Sequence, residues 1–322
     1  MELLVLFDLD GVIFCEDGYL LCAALATSKF MCDHLLIDRL DGQKFTHPDQ
    51  ISCIQDAQEI RDAFLPDDVL QVLRGKAINN NWDKAFACTL GLLHLSTIYR
   101  ESNNLTSYLA KWLEGHTGSG QEFLQPLHSY AKVCNMPADD LYASVKDNFQ
   151  RYYLGDHGAQ TDFLRRGIVD QETTLLPPET IIRSLKSLTS CGIELGIGTG
   201  RPREEALRPL QRLGLLPYFS MERIMTHDDV RQEEDRRGLQ AGVLAKPHPF
   251  VYQRAAAAFA QEKIVVVGDS TADALAANDA GFVFYGIGSV ASFGSTATLA
   301  TSINSDIEAF AHTLLCSVSD LQ

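Results

Sequence analysis

The sequence predicts an α/β protein in which a doubly wound parallel-sheet core is interrupted by an inserted α-helical domain. Three observations carry this. An apolar run, Leu3–Phe7, stops at Asp8. A long segment, 15–175, then has helix-like apolar spacing. After Pro177-Pro178, helical and strand patterns alternate as far as Ile287. Apolar strands that alternate with helices indicate a parallel sheet covered on both faces, here of Rossmann-like type. The predicted boundaries are 1–14 and 176–322 for the core and 15–175 for the helical domain.

Each element has its own signal. The run Leu3–Phe7 is short enough for a buried strand rather than a helix. Within the insertion, apolar spacing predicts helices near 18–40, 57–75, 82–113, 121–134, 138–153 and 159–166, and no strand. Turn signals separate them at Asp41-Gly42, Asn79-Asn80-Asn81, 115–120 and Asn135-Met136-Pro137. Beyond the two prolines, 179–190 sets Ile182, Leu185 and Leu188 on a helical face, and Gly192 ends it as a C-cap residue. Residues 193–198 read as a strand, and Pro202 as the first-turn proline of a helix reaching Leu213. A short strand at 223–226 follows, then a charge-rich exposed loop at 231–237 and an Ala-rich helix at 250–261. A strand at 263–267, a helix at 272–280 and a strand at 282–287 complete the pattern.

Composition excludes several classes. With 46% hydrophobic and 21% charged residues the chain is globular rather than disordered. A formal charge of −15 argues against non-specific nucleic-acid or anionic-membrane binding. It leaves an anionic substrate open, because a bound cation overrides the global field locally. No apolar run reaches the roughly 18 to 20 residues of a membrane helix. The opening MELLVLFDLDG has neither basic leader nor cleavage site, so no signal peptide is expected and the chain is read as cytoplasmic. Eight cysteines without CxxC spacing are expected to be buried free thiols, Cys191 and Cys316 among them.

In such sheets ligands sit at the carboxyl ends of the strands. Predicted strands end there in Asp8-Leu9-Asp10-Gly11, in Thr199-Gly200, and in the run from Gly268 and Asp269 to Asp273. Lys246, in Lys246-Pro247-His248-Pro249, is expected to open the helix before the third of these strands. Each piece alone is common; a strand-terminal aspartate is often only a helix cap. In this order, their chemistry converges. Carboxylates gathered at one point need a cation between them, and an all-oxygen set suits Mg²⁺. A metal-bridged Asp8 can attack phosphorus, and Asp10 can donate and retrieve a proton. The Thr199 hydroxyl, the Gly200 amide at a helix N-terminus and the Lys246 ammonium can hold the transferring oxygens.

The segments FDLDGV, GIGTGRP, AKPHP and VVGDSTAD resemble, in order, the four motifs of the haloacid-dehalogenase-like hydrolase superfamily, across 1–14 and 176–290. The resemblance implies that Asp8 is the nucleophile and Asp10 the general acid/base, and that Thr199 and Lys246 hold the phosphoryl group. It implies Mg²⁺ bound by Asp8, the backbone carbonyl of Asp10 and Asp269, with Asp273 in support through water or the lysine. The insertion then corresponds to a helical cap closing over small substrates. At roughly 160 residues it exceeds the usual compact bundle, and 238–245 lengthens the approach to Lys246. The implied activity is phosphatase-type hydrolysis of a small phosphorylated metabolite through an aspartyl-phosphate. A phosphomutase, or a non-catalytic binding protein on this fold, is the alternative. Asp10 disfavours dehalogenase and phosphonate-hydrolase chemistry.

Other residues admit two readings. Arg201 is either a contact to substrate phosphate or carboxylate, or a surface arginine. Glu16 and Asp17 form an acidic hinge or a polar linker. The run 115–120 reads as an interhelical loop before a substrate loop, and Trp82 and Trp112 as core before a stacking platform. His227 and His248 lack ligand spacing. Nothing in the sequence sets the oligomeric state.

Overall fold

The structure, a computed structural model, describes residues 3–35, 39–40, 43–76, 78, 80–99, 105–257, 263–288, 302–304 and 306–319. These divide into two compact units, one within 1–16 and 172–322 and the other within 17–171.

Strand β1 (Leu3–Phe7) opens the first unit, and the chain then enters the helical unit at α1 (Asp17–Leu35). There follow β2 (Arg39–Leu40), β3 (Gln43–Lys44), α2 (Ile54–Phe64), α3 (Asp67–Gly75) and α4 (Asn81–Ile98). The unit finishes with α5 (Leu105–Glu114), α6 (Gln121–Leu127), α7 (Ala138–Leu154) and α8 (Asp162–Arg166). Helix α4 is buried on every side from Lys84 to Leu93, as befits a helix apolar all round at a bundle centre. Tyr19, Phe149 and Tyr153 stack beside it, with the two tyrosine rings 4.6 Å apart.

Several expectations for this unit are corrected. The helix expected at 18–40 ends at Leu35, and Arg39–Leu40 and Gln43–Lys44 instead pair as two short antiparallel strands where no strand is expected. The helix expected at 57–75 is two helices. Pro66 caps α3 and pushes Leu65 out of helical geometry, as the residue before a proline must go. The helix expected at 82–113 is likewise α4 and α5, and 100–104 between them lie outside the described residues. Pro126 closes α6 early, and His128–Cys134 continues as a 3₁₀ helix. The Asp41-Gly42 turn and Asn79 lie outside the described residues.

The first unit resumes at Glu172 and runs through α9 (Pro178–Ser190), β4 (Glu194–Gly198), α10 (Arg203–Arg212), β5 (Ile224–Met225) and α11 (His227–Arg237). It continues with α12 (Phe250–Ala255), β6 (Lys263–Gly268), α13 (Thr271–Asp279) and β7 (Val283–Ile287). It ends in β8 (Ser302–Asn304) and α14 (Ile307–Ser319), which no sequence pattern had indicated. The sheet order is β5-β4-β1-β6-β7-β8, and every pairing is parallel. Val5 pairs with Leu195 on one side and Val265 on the other, so β1 is central and all five of its residues are buried. Its unbroken apolar run follows from that placement. The ends of β1, β4 and β6 therefore lie side by side.

Three readings of this unit change. The charged stretch 231–237 is helical, held by a Thr226–Asp229 capping box and by Arg236 and Arg237 reaching back to Glu233. Lys246 lies in the turn before α12, which begins only at Phe250; the tail of the helix expected at 250–261 passes outside the described residues. Cys191 is exposed rather than buried, and the seven described cysteines are all free; the side chain of Cys316 is not described. No described helix is long and apolar enough to cross a membrane.

Candidate active site

Backbone pairing delivers the reactive side chains. The Asp8 amide donates to the Val267 carbonyl at 2.9 Å, and the Thr199 amide to that of Met225 at 3.0 Å. Each residue is thus still tied to the sheet one step past its strand. After Asp8 the chain turns tightly, with the Ile13 and Phe14 amides both on the Leu9 carbonyl. Gly11 in this turn has a φ of 67°. A Cβ there would stand 2.0 Å from Oδ2 of Asp269, so the glycine frees the space that carboxylate fills.

Asp8, Asp269 and Asp273 bring carboxylate oxygens within 4.8 Å of one another. Burial, together with the charges of Asp273 and Asp10, pushes Asp8 up to about 7 against the opposing pull of Lys246. Burial, then the charges of Asp273, Asp8 and Glu16, pushes Asp269 up to about 9. Burial also disfavours ionised Asp273, but the Lys246 charge and hydrogen bonds from Lys246, Ser270 and Tyr252 outweigh it and hold Asp273 low. Lys246 is raised because Asp273 and Asp8 outweigh its own burial.

The lysine is a hub. Its Nζ lies 2.7 Å from Asp273, 3.0 Å from Asp8 Oδ1 and 3.1 Å from the Gly198 carbonyl. The contact to Asp8 is an ion pair off the line of a hydrogen bond, so buried Oδ1 has a charge beside it but no donor. An all-oxygen cluster with repelling carboxylates and an oxygen lacking a donor suits a hard divalent cation. Asp273 already accepts from Lys246, from Tyr252 at 2.7 Å and from Ser270 at 2.6 Å. It therefore fits a supporting place better than a ligand's, leaving Asp8 and Asp269 as the carboxylates to hold the ion.

Asp10 is not in this cluster. Its carboxylate is gripped by Arg201, with Nη2 at 2.5 Å from Oδ1 and Nε at 3.1 Å from both oxygens. Arg201 also bonds Glu172 at 2.8 Å, and both side chains are almost wholly buried. The surface reading of Arg201 is thus corrected. The guanidinium is enclosed, and the two carboxylates it pairs with are those of Asp10 and Glu172. Thr199 is buried, with Oγ1 accepting from the Arg201 amide at 3.2 Å. Gly200 is exposed but lies two residues before Pro202, the cap of α10, so its amide is not one of that helix's first turn.

Sequence reasoning did not single out Tyr252, Ser270 or Glu172. Ser270 had a readable signal, since Ser-x-x-Asp is a capping box, and both of its reciprocal bonds form with Asp273. Tyr252 had a fainter one in Gly198, where a Cβ would strike its ring at 2.6 Å. Glu16 contributes charge at Asp269, while Asp17 is simply the first residue of α1. Neither His227 nor His248 belongs to a metal-capable group among the described residues. In the helical unit, the run 115–120 is an interhelical loop stapled to Lys76, which donates to the His116 carbonyl and accepts from the Gly120 amide. Trp82 and Trp112 pack against that unit's core.

The family described as haloacid dehalogenase-like hydrolase matches residues 3–281. Phosphoglycolate phosphatases of Salmonella choleraesuis and Salmonella typhimurium are 26% identical over 147 residues, 46% of this chain and 48% of theirs. The matched region thus spans about half the length of those curated relatives. Among solved structures, an X-ray structure from the Northeast Structural Genomics Consortium is 25% identical with a TM-score of 0.75, covering 98% of each chain. A phosphatase from Thermococcus thioreducens shares the fold, with 18% identity and a TM-score of 0.57 over 98% of this chain and 99% of that one.

Proposed function

The chain belongs to the haloacid dehalogenase-like hydrolase family, and on that footing we propose that it is a Mg²⁺-dependent phosphatase acting on a small phosphorylated metabolite. The observation that carries the reading is the meeting of Asp8, Asp269 and Asp273 with Lys246 where three parallel strands end. The relatives named phosphoglycolate phosphatase support a phosphate monoester as substrate.

Asp8, Asp269 and the Asp10 carbonyl would hold Mg²⁺, which when bound neutralises charge on the phosphoryl oxygens. An Asp8 carboxylate oxygen attacks phosphorus and the ester P–O bond breaks, giving an aspartyl-phosphate on Asp8. Asp10 hands its proton to the leaving alkoxide, then takes one from the water that hydrolyses the intermediate. Thr199, Gly200 and Lys246 hold the non-bridging oxygens, and Asp273 with Tyr252 fixes the lysine. Arg201 has no place among those contacts. Selection among phosphate esters is assigned to the helical unit, the cap of this reading.

The test is phosphate release by purified protein over a panel of phosphorylated metabolites, phosphoglycolate included, with Mg²⁺ or with excess chelator. Turnover should appear only with Mg²⁺ and vanish in Asp8→Asn. Release that survives chelation, or that equals the Asp8→Asn background, overturns the reading. Transfer of the phosphoryl group to a second sugar hydroxyl instead of water would identify a mutase.

A further inference from the structure

Resting on that reading, we propose that Arg201 is a positioning residue for Asp10, itself locked by Glu172, and that the three form one device for aiming the proton donor.

The charge count comes first. One guanidinium meets two carboxylates, Asp10 and Glu172. Glu172 alone would neutralise Arg201, as a buried arginine requires. Asp10 is thus a second carboxylate held by the same guanidinium. Exposure gives the direction of action. The side chains of Arg201 and Glu172 are 1% and 0% exposed, and that of Asp10 is 28% exposed. The cluster has one open end, and Asp10 is that end.

The guanidinium cannot drift. Nη1 donates to Glu172 at 2.8 Å and to the Glu205 carbonyl at 3.2 Å, while the Phe14 ring lies 4.8 Å beneath its central carbon. Glu172 is anchored in turn, its carbonyl accepting from Arg212 at 2.6 Å. The turn after Asp8 is joined to the returning chain by Cys15 on the Thr173 carbonyl and Leu175 on that of Ile13, both at 3.0 Å. A planar fork held on this frame fixes both torsions of the Asp10 side chain, which a single ammonium cannot do. The grip is also uneven. Oδ1 takes two contacts and Oδ2 only the longer one, leaving Oδ2 the freer oxygen for a proton in transit.

The test compares hydrolysis of an alkyl phosphate with that of a nitrophenyl phosphate, because a proton donor matters most for the poor leaving group. Asp10→Asn supplies the reference split. Removing Arg201 alone takes an ion-pair partner from buried Glu172, so the variant pairs Arg201→Met with Glu172→Gln. It should lose about 10²-fold in kcat on the alkyl ester and markedly less on the aryl ester, the scale of a misaimed group, with the Mg²⁺ requirement unchanged. Arg201→Lys keeps the cation but not the fork and should fall between that variant and wild type. An equal loss on both esters in Arg201→Lys or the double variant, or no loss, overturns this inference alone. An equal loss in Asp10→Asn removes the acid role and this inference with it. Loss of the Asp8-dependent reaction itself is read separately, from Asp8→Asn.

Discussion

The two units treat buried charge in opposite ways. Among the described residues the α/β unit buries Asp8, Glu172, Arg201, Glu205, Arg223, Glu234 and Asp273, whereas the helical unit buries only Lys84. In place of ions, the helical unit packs rings, such as Tyr19 on Tyr153 and Phe45 on Phe64. Taking a charge out of water is expensive even when it is paired. A unit that does so repeatedly is spending stability on geometry, and the partners show which geometry. Lys246 ties the Asp8 and Asp273 carboxylates together, Arg201 sets Asp10, and buried Glu234 accepts the Leu244 amide at 2.8 Å on the approach to Lys246. The helical unit's interior contributes stability by apolar area instead.

The contrast can be broken first at Asp8. Asp8→Asn should cut turnover at least about 10³-fold while leaving the melting temperature unchanged or raised, since it removes one of three repelling carboxylates. Near-wild-type turnover, or a collapse in stability, would mean that this charge is structural. The next largest effect belongs to the other unit. Phe149, fully buried against Tyr19 and Tyr153, should cost about 3–5 kcal/mol of that unit's stability when changed to Ala. Both tryptophans, Trp82 and Trp112, are in the helical unit, so their fluorescence during denaturant unfolding reads it directly. A loss below about 1 kcal/mol would deny that ring packing holds this unit.

A smaller effect sharpens the comparison through pH. In the folded metal-free protein Asp8 sits at about 7 and Asp269 at about 9, both above the ordinary carboxylate range. A carboxyl raised on folding binds more protons in the folded state. Its contribution to stability is complete below the unfolded value of about 4 and is lost as pH climbs through the folded one. Metal-free protein should therefore melt lower at about pH 8.5 than at about pH 6, and the gain in melting temperature on adding Mg²⁺ should be larger at the higher pH. A gain independent of pH would mean that no protons are displaced from this cluster.

What the sequence could disclose follows the range of each interaction. Buried parallel strands must be continuously apolar, so β1 and β6 were legible, and so was the aspartate at each strand end. The proposed role of Arg201 was not, because its partners Asp10 and Glu172 lie 191 and 29 residues away and no local pattern encodes that meeting. Helix α11 was missed for another reason. It is polar almost all round, so it has no apolar period, and arginine–glutamate pairs with one buried glutamate sustain it. The break at Pro66 stood in plain view and was overridden by an apolar spacing that runs through it.

Gly11 carries a consequence for how this chain can vary. The space its side chain would need is the space Asp269 occupies, although the two residues reach it from different segments of the first unit. Position 11 therefore acts as a remote gauge of the carboxylate that follows β6. An alanine there meets the left-handed backbone and the Asp269 side chain at once, and relieving the second means moving that carboxylate. Were Asp269 shortened to glycine, the steric half of that conflict would be gone and only the backbone half would remain, whereas an alanine would still leave its Cβ 3.0 Å away. The dependence runs one way: Asp269 can shorten with Gly11 in place, whereas a side chain at position 11 needs that carboxylate moved or gone, so scanning position 11 in the wild-type and in an Asp269→Gly background should show tolerance rising only in the second.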